Sequence, residues 1–210
     1  MRFDFDRLAP RERYKLLTAL VIPRPIALVT TVGPEGVVNA APYSFFNAFS
    51  HDPPLVVLGI ERRGPGVPKD TGRNIDLTGE FVVNFVDEDL AAAMNVCAVD
   101  FPPEWSELEP AGLHPAPSTR VRPPRLAEAP AALECRLFTL LRIGAGRELV
   151  IGEVLAAWVR EGIVDPATLH LDLARYRPVG RLFGHLYCRI REVFTLRRRG
   201  FAEWRAERGD

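Results

Sequence analysis

Lysine is almost missing from this chain: Lys15 and Lys69 are the only two, and arginine supplies the rest of the positive charge. Cysteine is scarce too. Cys97, Cys135 and Cys188 are odd in number, far apart and outside any CxxC pattern, so neither a disulfide framework nor a zinc site is expected. His51, His114, His170 and His185 are equally scattered, and no metal site is supported. The longest apolar runs have strand length, short of the roughly 20 residues a membrane helix needs. The charged start MRFDFDRLAPRER has no apolar h-region, so no secretory signal is read and a cytoplasmic protein is expected. Acidic and basic residues balance at 27 each, which argues against nucleic acid as a partner. The motifs GxGxxG, GxSxG and HExxH do not occur, removing the usual signatures of a Rossmann site, a serine hydrolase and a zincin.

What is there reads as one domain over residues 1–210, rich in strands. Arg11–Leu20 has Tyr14, Leu17 and Leu20 on one helical face. Pro23 and Pro25 then force extended chain, and residues 26–40 form a β-hairpin around Gly33-Pro34-Glu35-Gly36. Residues 55–60 are a buried strand, 80–86 another, and 87–96 a helix with Leu90, Met94 and Cys97 on one side. Residues 101–130 are a proline-rich insertion, long enough to suggest a lid or a partner contact. Residues 132–143 and 148–159 make a long hairpin, 187–195 a last strand, and 196–210 a tail holding a short helix over 201–208. Hairpins dominate, which predicts an antiparallel sheet or barrel with helical insertions rather than a βαβ fold.

Two stretches carry candidate chemistry. NAAPYSFFN, Asn39–Asn47, has no charge and mixes amides, hydroxyls and aromatics. It reads as an ordered, half-buried loop that either packs beneath the barrel or offers neutral donors to a flat ligand. KDTGRNI, from Lys69, starts a helix with Asp70 or Thr71 as N-cap. Such a start suits a phosphate, and an ordinary capped surface helix looks the same in sequence.

PRPIALVTT, the GPEG turn, VVNAAPYSFFNAFSHDPPLVVLGI, KDTGRNI and EFVVNFV, in that order, resemble the flavin reductase-like, FMN-binding split-barrel family. VRPPRLAEAPAALECRL and YRPVGRLFG resemble its flavoredoxin-like branch. The resemblance implies a mainly β fold, a six-stranded antiparallel Greek-key split barrel, and a homodimer binding FMN. Members reduce flavin with NADH or NADPH, feeding for example a monooxygenase partner, or act as electron-transfer proteins with tightly held FMN. By similarity Thr30, Thr31, Asn39, Ala41, Pro42, Tyr43, Ser44, Phe45, Phe46 and Asn47 would line the ring and ribityl chain. Lys69, Asp70, Thr71 and Asn74 would lie at the phosphate end, and His185 is a candidate substrate contact. Phe183-Gly184 stands where the family often has Gly-Gly, which predicts a narrower path to the flavin face. No catalytic acid, base or nucleophile is expected, because hydride transfer between stacked rings depends on positioning.

Overall fold

The computed structural model describes residues 1–208. Helix α1, Pro10–Leu20, starts on a proline whose missing N–H is no loss there, and Glu12 accepts a hydrogen bond from the Ala9 amide at 2.8 Å. Strands β1, Ala27–Val32, and β2, Val38–Tyr43, pair from Val32↔Val38 to Ala27↔Tyr43. The turn between them bends at Gly36, whose φ of 81° favours glycine. Strands β3, Phe46–His51, and β4, Pro54–Glu61, form the next hairpin.

The expected loop over Asn39–Asn47 is therefore corrected: it is a strand, a bend at Ser44-Phe45, and a second strand. Pro42 is tolerated in β2 because that strand has a partner on one side only. Helix α2, Asp70–Thr78, leads into β5, Glu80–Phe85. The helix expected over 87–96 begins only at Ala91 (α3, Ala91–Val96), since Asp87 Oδ1 accepts the Leu90 amide at 3.0 Å and holds a turn. A one-turn helix α4, Leu108–Ala111, and a minimal ladder of β6, Pro115–Ala116, with β7, Arg125–Leu126, lie within the proline-rich segment. The long hairpin is β8, Ala131–Ile143, with β9, Arg147–Val159. A small ladder follows, β10, Val179–Arg181, with β11, Tyr187–Arg189, so the last strand stops well before residue 195. Helix α5, Phe201–Ala206, lies in the tail, whose final two residues fall outside the described residues.

The main sheet runs β2-β1-β5-β8-β9-β4-β3. Its two end strands are halves of one bent strand, so seven segments make a six-stranded barrel. The Phe45 carbonyl accepts the Gly59 amide at 2.7 Å and draws the bend onto β4. Three successive strands followed by β5 returning beside β1 is the Greek-key order.

Alternation along β1 separates two cores. Ala27 and Val29 face the barrel interior with Phe46, Leu58, Ile60, Phe81, Val83 and Val150. Leu28 faces outward into a second cluster with Ala40, Leu90, Met94, Leu108 and Leu126, covered by α3, α4 and the proline-rich segment.

Candidate functional site

The first turn of α2 meets the outer edge of β2. Lys69 takes the N-cap position with extended backbone and no side-chain cap, so Asp70 and Thr71 fall inside the helix and its leading amides lack a side-chain partner. A Cβ on Gly72 would lie 2.4 Å from Glu148 Oε2, the buried carboxylate against this turn, so a larger residue there would have to displace that side chain. Arg62 Nε pairs with that carboxylate at 3.4 Å.

Thr71 donates its hydroxyl hydrogen to Asn39 Oδ1 at 2.8 Å, and Asn74 donates to Thr31 Oγ1 at 3.0 Å. Thr31, Asn39, Thr71 and Asn74 thus form one network joining α2 to the β1–β2 hairpin. Next to it lies a cavity of about 250 Å³ lined by Asn39, Ala41, Pro42, Tyr43, Lys69 and Thr71, and on the far side by Arg63 and residues 97–101. The charges are unequal in freedom. Arg63 is shared between Asp70, 2.9 Å away, and Asp100, 3.0 Å away, while Asp70 also pairs with Arg73 at 2.9 Å. Lys69 makes no ion pair among the described residues. The Tyr43 hydroxyl is buried near Thr71 without a well-formed hydrogen bond among the described residues, and burial raises its pKa. Burial pushes the Cys97 thiol up to about 12, which keeps it a neutral wall group rather than a nucleophile.

The sequence-derived residues do not all meet. Ser44, Phe45, Phe46 and Asn47 line a different groove of about 420 Å³, with Leu17, Val21, Arg24 and Val57. Phe46 also contributes to the barrel core. Thr30 lies on the face of β1 opposite Thr31, donates to the Pro124 carbonyl at 2.5 Å, and lines neither cavity. His185 is exposed in the turn between β10 and β11, also away from both.

Two residues were missed from sequence. Buried Arg24 donates to Ser44 Oγ and to the carbonyls of Thr18, Val21 and Leu182, tying α1, the β2–β3 bend and the β10–β11 turn together. Glu107, also buried, reaches from the proline-rich segment to β2. It accepts Asn39 Nδ2 at 2.6 Å and the Ala40 amide at 2.7 Å. Neither has a local signal, since its partners lie up to 158 residues away in sequence for Arg24 and 68 for Glu107.

The fold is an antiparallel split barrel with a cradle where α2 meets β2. The chain belongs to the family of the flavin reductase like domain, which it matches over residues 19–180. It is 43% identical to an uncharacterized protein of Deinococcus radiodurans, over 98% of this chain and 92% of that one. Among solved structures it is similar to 2-nitrobenzoate 2-nitroreductase of Pseudomonas fluorescens, at 39% identity and a TM-score of 0.88, covering 96% of this chain and 98% of that one. Nitrilotriacetate monooxygenase component B of Bacillus cereus shares 37% identity at a TM-score of 0.89, covering 93% and 98%.

Proposed function

We propose that this flavin reductase-like protein binds FMN with its phosphate against Lys69, Thr71 and the start of α2, and that it reduces the flavin with NADH or NADPH. The observation that carries this reading is the meeting, in one cavity, of a lysine that makes no ion pair among the described residues, a helix start without a side-chain cap and a strand edge free of charge. The residues fit the group. A phosphate is suited by helix amides and a mobile cation. The buried Tyr43 hydroxyl supplies a polar atom beside the cavity. Asn39, Ala41 and Pro42 supply neutral contacts for a flat ring; the buried Glu107 carboxylate, which also lines the cavity, is held by the Asn39 carboxamide and the Ala40 amide.

The chemistry supplied by bound flavin is hydride acceptance at N5, with charge gathering near N1 and O2. The protein's part is positioning. The Thr71–Asn39 bond holds the α2 turn at a fixed place on β2, and Asn74–Thr31 repeats that tie one turn later. Segment 97–101 forms the far wall.

Exposed Tyr14 and Leu17 of α1, with Val21 just after it, stand near exposed Phe45, an apolar surface that a second copy of the chain would cover. The homodimer is part of the proposal. So is delivery of reduced flavin to a monooxygenase, supported by the likeness to a monooxygenase component B. The wall at 97–101 favours a second reading, an electron carrier that keeps its FMN.

Purification followed by flavin titration tests the proposal. Binding of FMN is expected, with a clear loss of affinity in Lys69→Ala/Thr71→Ala and no loss of fold. Unchanged affinity would refute the phosphate assignment. Anaerobic NADH or NADPH should bleach the bound flavin rapidly; an unbleached protein is a carrier.

A further inference from the structure

A second cavity, of about 430 Å³, lies behind the first. It is walled by the β1–β2 turn from Gly33 to Glu35, by Arg73, Asn74 and Leu77 of α2, and by Pro102–Trp105. The two cavities share three residues, Asn39, Asp70 and Glu107. These three form the partition between them. Two of the three carry carboxylates, and their situations differ. Asp70 is balanced by Arg63 and Arg73. Glu107 is held by the Asn39 carboxamide and the Ala40 amide, both neutral donors.

We propose that Glu107 is a specificity-determining residue that restricts this site to a flavin mononucleotide and excludes the dinucleotide FAD. This rests on the reading of the first cavity as the phosphate site. One phosphate finds Lys69, Thr71 and the α2 amides on the near side of the partition. A pyrophosphate adds a second anion and an adenosine beyond it, and the larger space lies on the far side. The way there is closed by the Glu107–Asn39 clasp, whose carboxylate repels the second phosphate and whose bonds keep the wall shut. Desolvated like charges oppose one another strongly, and negative selection of this kind needs only one such group.

The test is a pair of titrations, FMN and FAD, on the full chain and on Glu107→Gln, followed by flavin fluorescence, with thermal melts to confirm folding. Glutamine keeps the size and removes the charge, and it gives up one acceptor, because its NH2 must face either Asn39 Nδ2 or the Ala40 amide. Wild type should prefer FMN, and the preference should shrink by about tenfold in Glu107→Gln, a change of about 1.4 kcal/mol, mainly through tighter FAD binding. Glu107→Asp keeps the charge and should keep the preference; loss of it there would overturn the charge argument. Equal wild-type affinities for FMN and FAD overturn the inference without any variant, and so does a Gln variant that shifts both flavins alike. Failure of wild type to bind either flavin overturns the cavity assignment itself and this inference with it.

Discussion

The two faces of β1 are held by different physics. Inward, Ala27 and Val29 meet an apolar interior in which Phe81, Leu58 and Val150 are fully buried. Outward, the covering layer is a proline-rich segment that makes few ladder bonds, and its backbone amides are satisfied instead by side chains reaching up from the sheet. Asn84 Oδ1 accepts the Leu126 amide at 2.8 Å. Glu134 accepts the amides of Thr119 and Arg120 at 3.0 and 2.6 Å, and Glu80 accepts that of Arg122 at 3.0 Å. Buried backbone groups must find partners, and where a chain cannot join a sheet its neighbours supply polar side chains. The interior is therefore general in its demands, volume and apolarity, while the cover is particular, depending on named side chains for named amides.

Deletions on the two faces should separate these causes. Phe81→Ala empties the largest fully buried side chain of the barrel and should lower stability by about 3–5 kcal/mol, read as a denaturant midpoint shift of the whole protein. Gly152 presses on the same ring, since a Cβ there would lie 2.3 Å from Phe81 Cζ, so Gly152→Ala should also destabilise the barrel, by about 1–3 kcal/mol. Asn84→Ala removes no comparable volume. It strands the buried Leu126 amide and leaves the Leu28 carbonyl and the Thr30 hydroxyl without its amide, at a cost of about 1–3 kcal/mol. Its signature should be faster hydrogen exchange and proteolysis in residues 118–126 than in β8 and β9. Uniform loosening of both would erase the distinction between the faces. Glu134→Gln should act the same way on Thr119 and Arg120, more weakly.

The same contrast explains what could be read from sequence. The β1–β2 hairpin, the apolar β4, the place of α2 and the β8–β9 hairpin follow from alternation and turn residues, which are local, although Lys69 rather than Asp70 or Thr71 takes the N-cap of α2. The path of residues 101–130 does not, because it is fixed by Asn84, Glu80 and Glu134, whose partners are distant in the chain. The site divides likewise. Asn39, Lys69, Thr71 and Asn74 stand in motifs and converge, whereas Glu107 lies in a stretch with no periodicity and gains its place only when the segment folds over β2. Asn39–Asn47 reads as a loop in sequence because Pro42 and Ser44 signal turns, while the edge position of β2 removes the penalty for proline.

The smallest effect belongs to the clasp itself, and it is a slope rather than an offset. Burial lifts the Glu107 carboxyl above its ordinary value of 4.5, against the pull of the bonds from Ala40 and Asn39. In the folded chain this acid therefore still holds a proton at a pH where the unfolded chain has released it. The folded state then binds more protons, so stability falls as pH rises from the ordinary carboxylate value through the raised one, and is level above it. Glu107→Gln has nothing to titrate there and should lack this slope, whatever constant offset it carries. Melts of the two proteins from about pH 4 to about pH 8 compare them directly, spanning the carboxylate range and its upward extension. Wild type should lose ground to the variant as pH rises through that window. A difference that stays constant, or that grows in favour of wild type, would mean that the clasp holds an ordinary carboxylate and that the outer face keeps its polar groups better solvated than their burial indicates.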